Sequence, residues 1–360
     1  MINVTKSFLP PLNEYVESLK RIWDTHHLTN RGELALSLEN QLEKMFDLKH
    51  CLVVANATLG IQMVIKSLNL KGQIITTPFT YIATASSIVW ESCTPVFIDI
   101  DPISLCIDVT KIRKAINSST SAILVTHVFG NPCDVDEIEI IGKEFGLYVI
   151  YDAAHAFGVN LNGRSIISYG DVSICSFHAT KLFHTGEGGA IFCNSKEIYD
   201  KVYDAHNFGH HGYEDFSCLG INGKMSELQA AMGLSILPYL NDIINKRKEI
   251  YDYYFEHLAN INGIRVVPIR NRADWNYCYL PVVLDTEDLL LEIIKGCNNH
   301  NIFPRRYFYP SLNTLNFLNP VECQVSEDVA KRIMCLPLHT YMTSLDVDLI
   351  ANTIKATLNK

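Results

Sequence analysis

The segment SICSFHATKLFHTGEGGAIF, residues 173–192, holds a lysine, Lys181, between two apolar strand-like runs and among histidines, threonines and glycines. A lysine at the carboxyl end of a buried strand is desolvated, loses its proton more easily and attacks a carbonyl carbon as a neutral amine. Asp152 ends an earlier apolar run, LYVIYD, which sets a carboxylate at the tip of a second buried strand. In NATLGIQMVIKSL, Thr58 and Leu59 open a helical pattern that follows the strand-like CLVVAN. Amides at such a helix start lack carbonyl partners and attract phosphate. Tyr81, in FTYIATA, follows another strand end and is placed to stack on a planar ring. Taken singly, each residue has a commoner reading: a solvated lysine, a capping aspartate, a threonine N-cap, an aromatic on a rim. Taken together they are the groups pyridoxal phosphate needs, because a carboxylate that keeps its ring nitrogen protonated makes the ring an electron sink.

Four such groups act together only if one scaffold brings them to the same place. Between residue 51 and about 195, short β-branched runs alternate with segments of helical period, from CLVVAN and TLGIQMVIKSL through to DVSICSF and GGAIFCN. Strands apolar on both faces and separated by helices predict an α/β fold with a mostly parallel central sheet covered on both sides. Ligands in such sheets sit at the carboxyl ends of the strands, where Lys181, Asp152, Thr58 and Tyr81 fall. From residue 224 a long amphipathic helical stretch runs to about residue 261, interrupted near Pro238, and the remainder reads as a smaller α+β unit. The expected division is a large domain over 1–240 and a small carboxyl-terminal domain over 241–360.

The 360 residues are 48% hydrophobic and 19% charged, enough apolar material for a large core and too much for disorder. A formal net charge of −9 argues against a nonspecific nucleic-acid or acidic-membrane binder, so an anionic ligand must be held by local donors. Eleven cysteines occur without a CxxC pair or regular spacing, several inside apolar runs, which points to reduced packing residues, no metal site and no disulfide framework. No signal-like start and no run of 18 uncharged apolar residues is present, and a cytoplasmic enzyme is expected.

The motifs HHLTNRG, NATLGIQ, PFTYIATASS, VFIDID, YDAAHAFG, SFHATKLFHTGEGGA, GINGKMSELQAAMG, RRYFYPSL and CLPLH span nearly the whole chain. In these the sequence resembles the DegT/DnrJ/EryC1/StrS family of sugar aminotransferases, within fold type I of the pyridoxal-phosphate enzymes. The resemblance implies that Lys181 binds the cofactor covalently and then shuttles the proton, and that Asp152 partners the ring nitrogen. It sets His155 near the phenolic oxygen, Tyr81 against the ring, and the amides at Thr58 and Leu59 with the Ser176 hydroxyl around the phosphate. Asn222 corresponds to an asparagine supplied by a neighbouring subunit, which implies a homodimer with shared sites. Where many relatives follow that asparagine with an aromatic and an arginine, this chain has Gly223 and Lys224, and Lys224 keeps the charge without the planar fork. HHLTNRG likewise lacks the glycine and tryptophan that often precede the threonine, which leaves His26 and His27 as polar surface residues.

The implied reaction takes an amino group from L-glutamate and gives it to a nucleotide-linked keto sugar. FHATKLFHTGEGG with INGKMSE is similar to family members acting on dTDP-linked 4-keto-6-deoxyglucose in O-antigen formation. Members acting on 3-keto sugars are the rival, with the loop NFGHHGYEDF as the feature that would reshape the sugar pose. Arg305 and Arg306 are candidates for the nucleotide diphosphate, and His184 and Lys224 for other substrate contacts. A noncatalytic regulator of the same fold would tend to lose Lys181 or Asp152; a dehydratase of the family replaces the lysine with histidine; a dinucleotide oxidoreductase would carry GxGxxG after its first strand. None of these patterns is present.

Overall fold

The computed structural model describes residues 1–259 and 261–358. Seven strands form the central sheet: Cys51–Val54 (β1), Gln73–Thr76 (β2), Thr94–Phe97 (β3), Thr120–Thr126 (β4), Tyr148–Asp152 (β5), Val172–Ser176 (β6) and Gly189–Cys193 (β7). Their spatial order is β1-β7-β6-β5-β4-β2-β3, and β7 alone runs antiparallel to its neighbours. Because side chains alternate along a strand, the apolar runs feed both faces of the sheet at once. Val53, Ile75, Ile123, Val125, Val149 and Phe192 enter one core, while Leu52, Val54, Ile74, Leu124, Ile150, Ile174 and Ile191 enter the other.

Helices Leu12–Thr25 (α1), Glu33–Phe46 (α2), Ala57–Ser67 (α3), Ile82–Trp90 (α4), Val109–Ala115 (α5), Val135–Phe145 (α6) and Lys196–His206 (α7) accompany the strands. Leu34, Leu38, Leu42 and Phe46 of α2 and Ile138 and Ile141 of α6 cover the first face; Ile61, Val64 and Ile65 of α3 and Ile198 and Val202 of α7 cover the second. Fully burying one such aliphatic side chain contributes about 1.5–3 kcal/mol, so the two layers fix the sheet firmly.

The interrupted stretch after residue 224 is two helices, Glu227–Ile236 (α8) and Leu240–Leu258 (α9), joined by a single 3-10 turn that contains Pro238. Ser226 and Gln229 form a reciprocal capping box at the start of α8. Glu227 is buried, and its two carboxylate oxygens accept from the amides of Leu34 (2.7 Å) and Ala35 (3.1 Å), capping α2, which has no capping side chain of its own. Beyond α9 a three-stranded antiparallel sheet, Ile264–Val266 (β8), Leu280–Leu284 (β9) and Ile333–Leu336 (β10), is ordered β8-β9-β10. It packs with α9 and with helices Glu287–Asn299 (α10) and Ser344–Leu358 (α11) around a third core. A further helix, Gln324–Arg332, leads directly into β10.

The chain start belongs to this carboxyl-terminal layer. Ile2 and Asn3 pair in parallel with Ile302 and Phe303, just ahead of Arg305, and Ile2 packs on the third core. All eleven cysteines are unpaired, and ten of them are buried. No helix among the described residues is long and apolar enough to cross a membrane.

Candidate active site

Strand register brings the chemistry together. Thr126 of β4 pairs with Asp152 of β5, Asp152 pairs with Ile174 of β6, and Ser176 of β6 pairs with Gly189 of β7, which in turn faces Val54 of β1. The carboxyl ends of four strands and the amino end of antiparallel β7 therefore surround one cavity of about 220 Å³, lined by Thr58, Tyr81, Asp152, His155, Ser176, Lys181 and Arg305 among others. Seven of the residues singled out in the sequence meet there.

Lys181 follows a turn closed by its own amide to the carbonyl of His178 (2.8 Å). Burial lowers its pKa from 10.5 to about 8, against the opposing attraction of Asp152. About a tenth of the amine is thus neutral at pH 7, far more than for a solvated lysine, as a nucleophile or a base needs. Asp152 is 5% exposed, and burial raises its pKa, opposed by two hydrogen bonds. Its Oδ2 accepts from Thr84 Oγ1 at 2.6 Å and its Oδ1 from the amide of Ala154 at 3.0 Å.

The His155 ring lies nearly parallel to those of Phe129 and Phe308, at interplanar angles of 7° and 4° and centroid distances of 6.1 and 5.8 Å. Its Nδ1 accepts from the amide of Phe129 (3.2 Å), so the proton resides on Nε2, and burial followed by the charge of Lys181 holds its pKa well below the usual range. The ring is a neutral donor. Phe129 reaches this position with a left-handed φ of 55°, an uncommon conformation for a bulky residue.

At the opposite side α3 begins. Asn56 Oδ1 caps it by accepting from the amide of Leu59 (2.9 Å), so that amide is taken within the chain. The amides of Ala57 and Thr58, the first two of the helix, have no carbonyl behind them. A Cβ on Gly189 would lie 2.8 Å from the nitrogen of Ala57 and 2.8 Å from the carbonyl oxygen of Cys175; glycine keeps that approach open. With Ser176 across from them these groups make a phosphate-sized recess. Carboxylate, amine, stacking aromatic and anion recess in one cavity fit pyridoxal phosphate. Tyr81, 49% exposed, and Tyr307, in edge contact with it at 6.4 Å between centroids, frame the mouth.

Five residues singled out in the sequence lie apart from the cavity lining. Leu59 is on the cap just described. His184 is buried, donating from Nε2 to the carbonyl of Phe8 (2.8 Å) while Nδ1 accepts from Gly186, and so ties down the amino-terminal segment. Arg306 donates to Glu287 (2.5 Å) and to the carbonyl of Lys331 (3.0 Å), and serves as a strap between elements. Its neighbour Arg305 lies over the Tyr307 ring at 4.4 Å and does line the cavity. Asn222 is exposed and Lys224 donates to Asn207 (2.8 Å); neither side chain lines the cavity, although the backbone of Lys224 bridges to Val54 at the end of β1. Sequence reasoning passed over Asn56, Thr80, Thr84, Thr126, Tyr307 and Phe308. The threonines had one available signal: Thr80 and Thr84 are four apart at a helix start.

Residues 12–355 match the DegT/DnrJ/EryC1/StrS aminotransferase family. The chain is 39% identical over 360 residues to a dTDP-4-amino-4,6-dideoxy-D-glucose transaminase of Shigella dysenteriae, with 98% of each chain covered. It is 35% identical to a transaminase of the same name from Escherichia coli, covering 100% of this chain and 98% of the other. The crystal structure of DesI in the presence of its TDP-sugar product matches with a TM-score of 0.95 at 30% identity, over 100% of this chain and 93% of that one. The chain belongs to the family these comparisons define, and pyridoxal phosphate is its cofactor.

Proposed function

As an aminotransferase of that family, the chain is one for which we propose a specific reaction: transfer of the amino group of L-glutamate to dTDP-4-keto-6-deoxy-D-glucose, giving dTDP-4-amino-4,6-dideoxy-D-glucose for O-antigen. The carrying observation is the single cavity that joins Lys181, Asp152 and His155 to an open helix start, in a chain that aligns end to end with transaminases of that name. The bound cofactor supplies an electron sink for the carbanion formed when a C–H bond beside nitrogen is broken.

The protein's own groups do the rest. Asp152, which accepts from Thr84 and Ala154, would keep a proton on the ring nitrogen. His155 would donate from Nε2 toward the phenolic oxygen. The amides of Ala57 and Thr58 and the Ser176 hydroxyl would hold the phosphate, and Tyr81 would cover one ring face. Lys181, as a neutral amine favoured by its burial, would take the proton from one carbon and return it to another. Arg305 is the candidate for the nucleotide diphosphate, since its guanidinium stands at the cavity wall. The active unit is a cytoplasmic homodimer in which Asn222 reaches the partner's phosphate site and Lys224 is a candidate substrate contact, with residues 1–240 as the cofactor domain and 241–360 as the smaller one.

Purified protein supplied with glutamate and each of the 3-keto and 4-keto dTDP sugars, with the new amine located by NMR, tests the reading. Amine at C4 is expected; amine at C3 would replace it with the 3-amino reading. Appreciable turnover by Lys181→Ala would remove Lys181 from its role.

A further inference from the structure

A chain of buried hydroxyls ends on Asp152. Thr84 Oγ1 lies 2.6 Å from Asp152 Oδ2, Thr80 Oγ1 2.9 Å from Thr84 Oγ1, and Thr126 Oγ1 2.7 Å from Thr80 Oγ1. All three threonines are at most 2% exposed. They come from three separate places: Thr80 from the loop after β2, Thr84 from the first turn of α4, and Thr126 from the end of β4.

A hydroxyl carries one proton, and this fixes the direction of every bond in the chain. An ionised carboxylate only accepts, so Thr84 spends its proton on Asp152. The Thr80–Thr84 contact must then have Thr80 as donor, and the Thr80–Thr126 contact must have Thr126 as donor. All three O–H dipoles point the same way, toward the carboxylate. Bonds aligned in series polarise one another, and a low-dielectric interior strengthens the effect.

We propose that Thr84, backed by Thr80 and Thr126, is a positioning residue that holds the Asp152 carboxylate ionised and correctly turned toward the ring nitrogen of the cofactor. A buried carboxylate needs donors, and Asp152 has two. The Ala154 amide is only two residues away and constrains Oδ1 alone; Thr84 is the side-chain donor that constrains Oδ2, which fixes the carboxylate plane. The inference rests on the role given above to Asp152.

The test uses holoenzyme. Thr84→Val preserves shape and β-branching but leaves Oδ2 without its donor; Thr84→Ser restores the hydroxyl; Thr80→Val leaves the bond to Asp152 intact and removes only the support behind it. Cofactor retention is read by diluting each holoenzyme and following the absorbance of the bound cofactor, with the melting temperature measured in parallel. A charge-assisted bond of this kind is expected to give Thr84→Val roughly ten- to a hundredfold weaker retention. Thr84→Ser should return to near wild type, and Thr80→Val should fall between them. A merely structural threonine would lower the melting temperature of Thr84→Val and leave retention unchanged, which would overturn the proposal. Asp152→Asn separates the two levels. Loss of retention there but not in Thr84→Val overturns this inference alone, whereas full retention in both overturns the role of Asp152 and this inference with it.

Discussion

Lys181 should destabilise the cofactor-free protein, and replacing it with methionine should stabilise that form. Burial lowers the Lys181 pKa from 10.5 to about 8. One pKa unit corresponds to about 1.4 kcal/mol, so keeping the ammonium in the folded protein below pH 8 costs about 3 kcal/mol relative to the unfolded chain. Methionine has nearly the same length and no charge, which removes that cost. That figure is already net of the opposing attraction between Lys181 and Asp152. A net stabilisation of about 3 kcal/mol at pH 7 is therefore expected.

The pH dependence carries the sharper signature. Between pH 8 and 10.5 the unfolded chain holds a proton on residue 181 that the folded protein has released. Stability of the wild type from this group thus rises with pH through that window, and the advantage of Lys181→Met shrinks toward zero by about pH 10.5. Urea midpoints of the two cofactor-free proteins at pH 7, 8, 9 and 10, taken as differences so that other lysines and tyrosines cancel, give the curve. A variant less stable than wild type at pH 7, or an advantage that stays flat to pH 10, would refute the claim that desolvation sets the state of this lysine.

Three further outcomes follow from named contacts. Asn56→Ala removes the cap on α3 and should cost about 1 kcal/mol in urea denaturation. It should also weaken cofactor retention, because the helix start that meets the phosphate frays. Glu227→Gln turns an NH2 group toward one of the two backbone amides that its carboxylate now accepts, and a loss of about 1–3 kcal/mol is expected, with little change in kcat for the protein that remains folded. Finally, inactive Lys181→Ala and impaired Asn222→Ala protomers, unfolded and refolded together, should regain part of the activity, since one site in each mixed dimer is complete; no regain would place Asn222 outside the site of a neighbouring protomer.

The central sheet was legible because its strands are buried on both faces and each is punctuated by a helix with its own apolar face. Every one of the seven apolar runs between Cys51 and Cys193 is a strand of that sheet. What escaped reading carries weaker local signals. Helices α1 and α2 precede the first strand, and α2 takes its cap from Glu227, almost two hundred residues away, which no local pattern records. Gln324–Arg332 and β10 follow one another without a turn residue between them. In the site, Lys181, Asp152 and Thr58 were readable because strand ends are where such sheets bind ligands, whereas His155 came only from the family resemblance. His184 and Arg306 were read as substrate contacts from their residue types, but their partners, the carbonyl of Phe8 and the carboxylate of Glu287, lie far along the chain. Thr84 was missed for the opposite reason: its type is ordinary, and only the tertiary approach of Asp152 gives it work.

The two-residue strand at the amino terminus sets the order in which the protein can be completed during synthesis. Ile2 and Asn3 bond to Ile302 and Phe303, and two residues beyond Asn3's partner the chain enters the wall that carries Arg305, Tyr307 and Phe308. Ile2 and Asn3 must therefore wait for residues made about 300 positions later, an interval of roughly 15–60 s at usual bacterial and eukaryotic elongation rates. Over that time the seven-stranded sheet can fold while one wall of its cavity does not yet exist. A bulky tag fused at Met1 should slow the final closure while sparing the sheet, visible as a delayed gain of bound cofactor against an unchanged rate of secondary-structure formation on refolding.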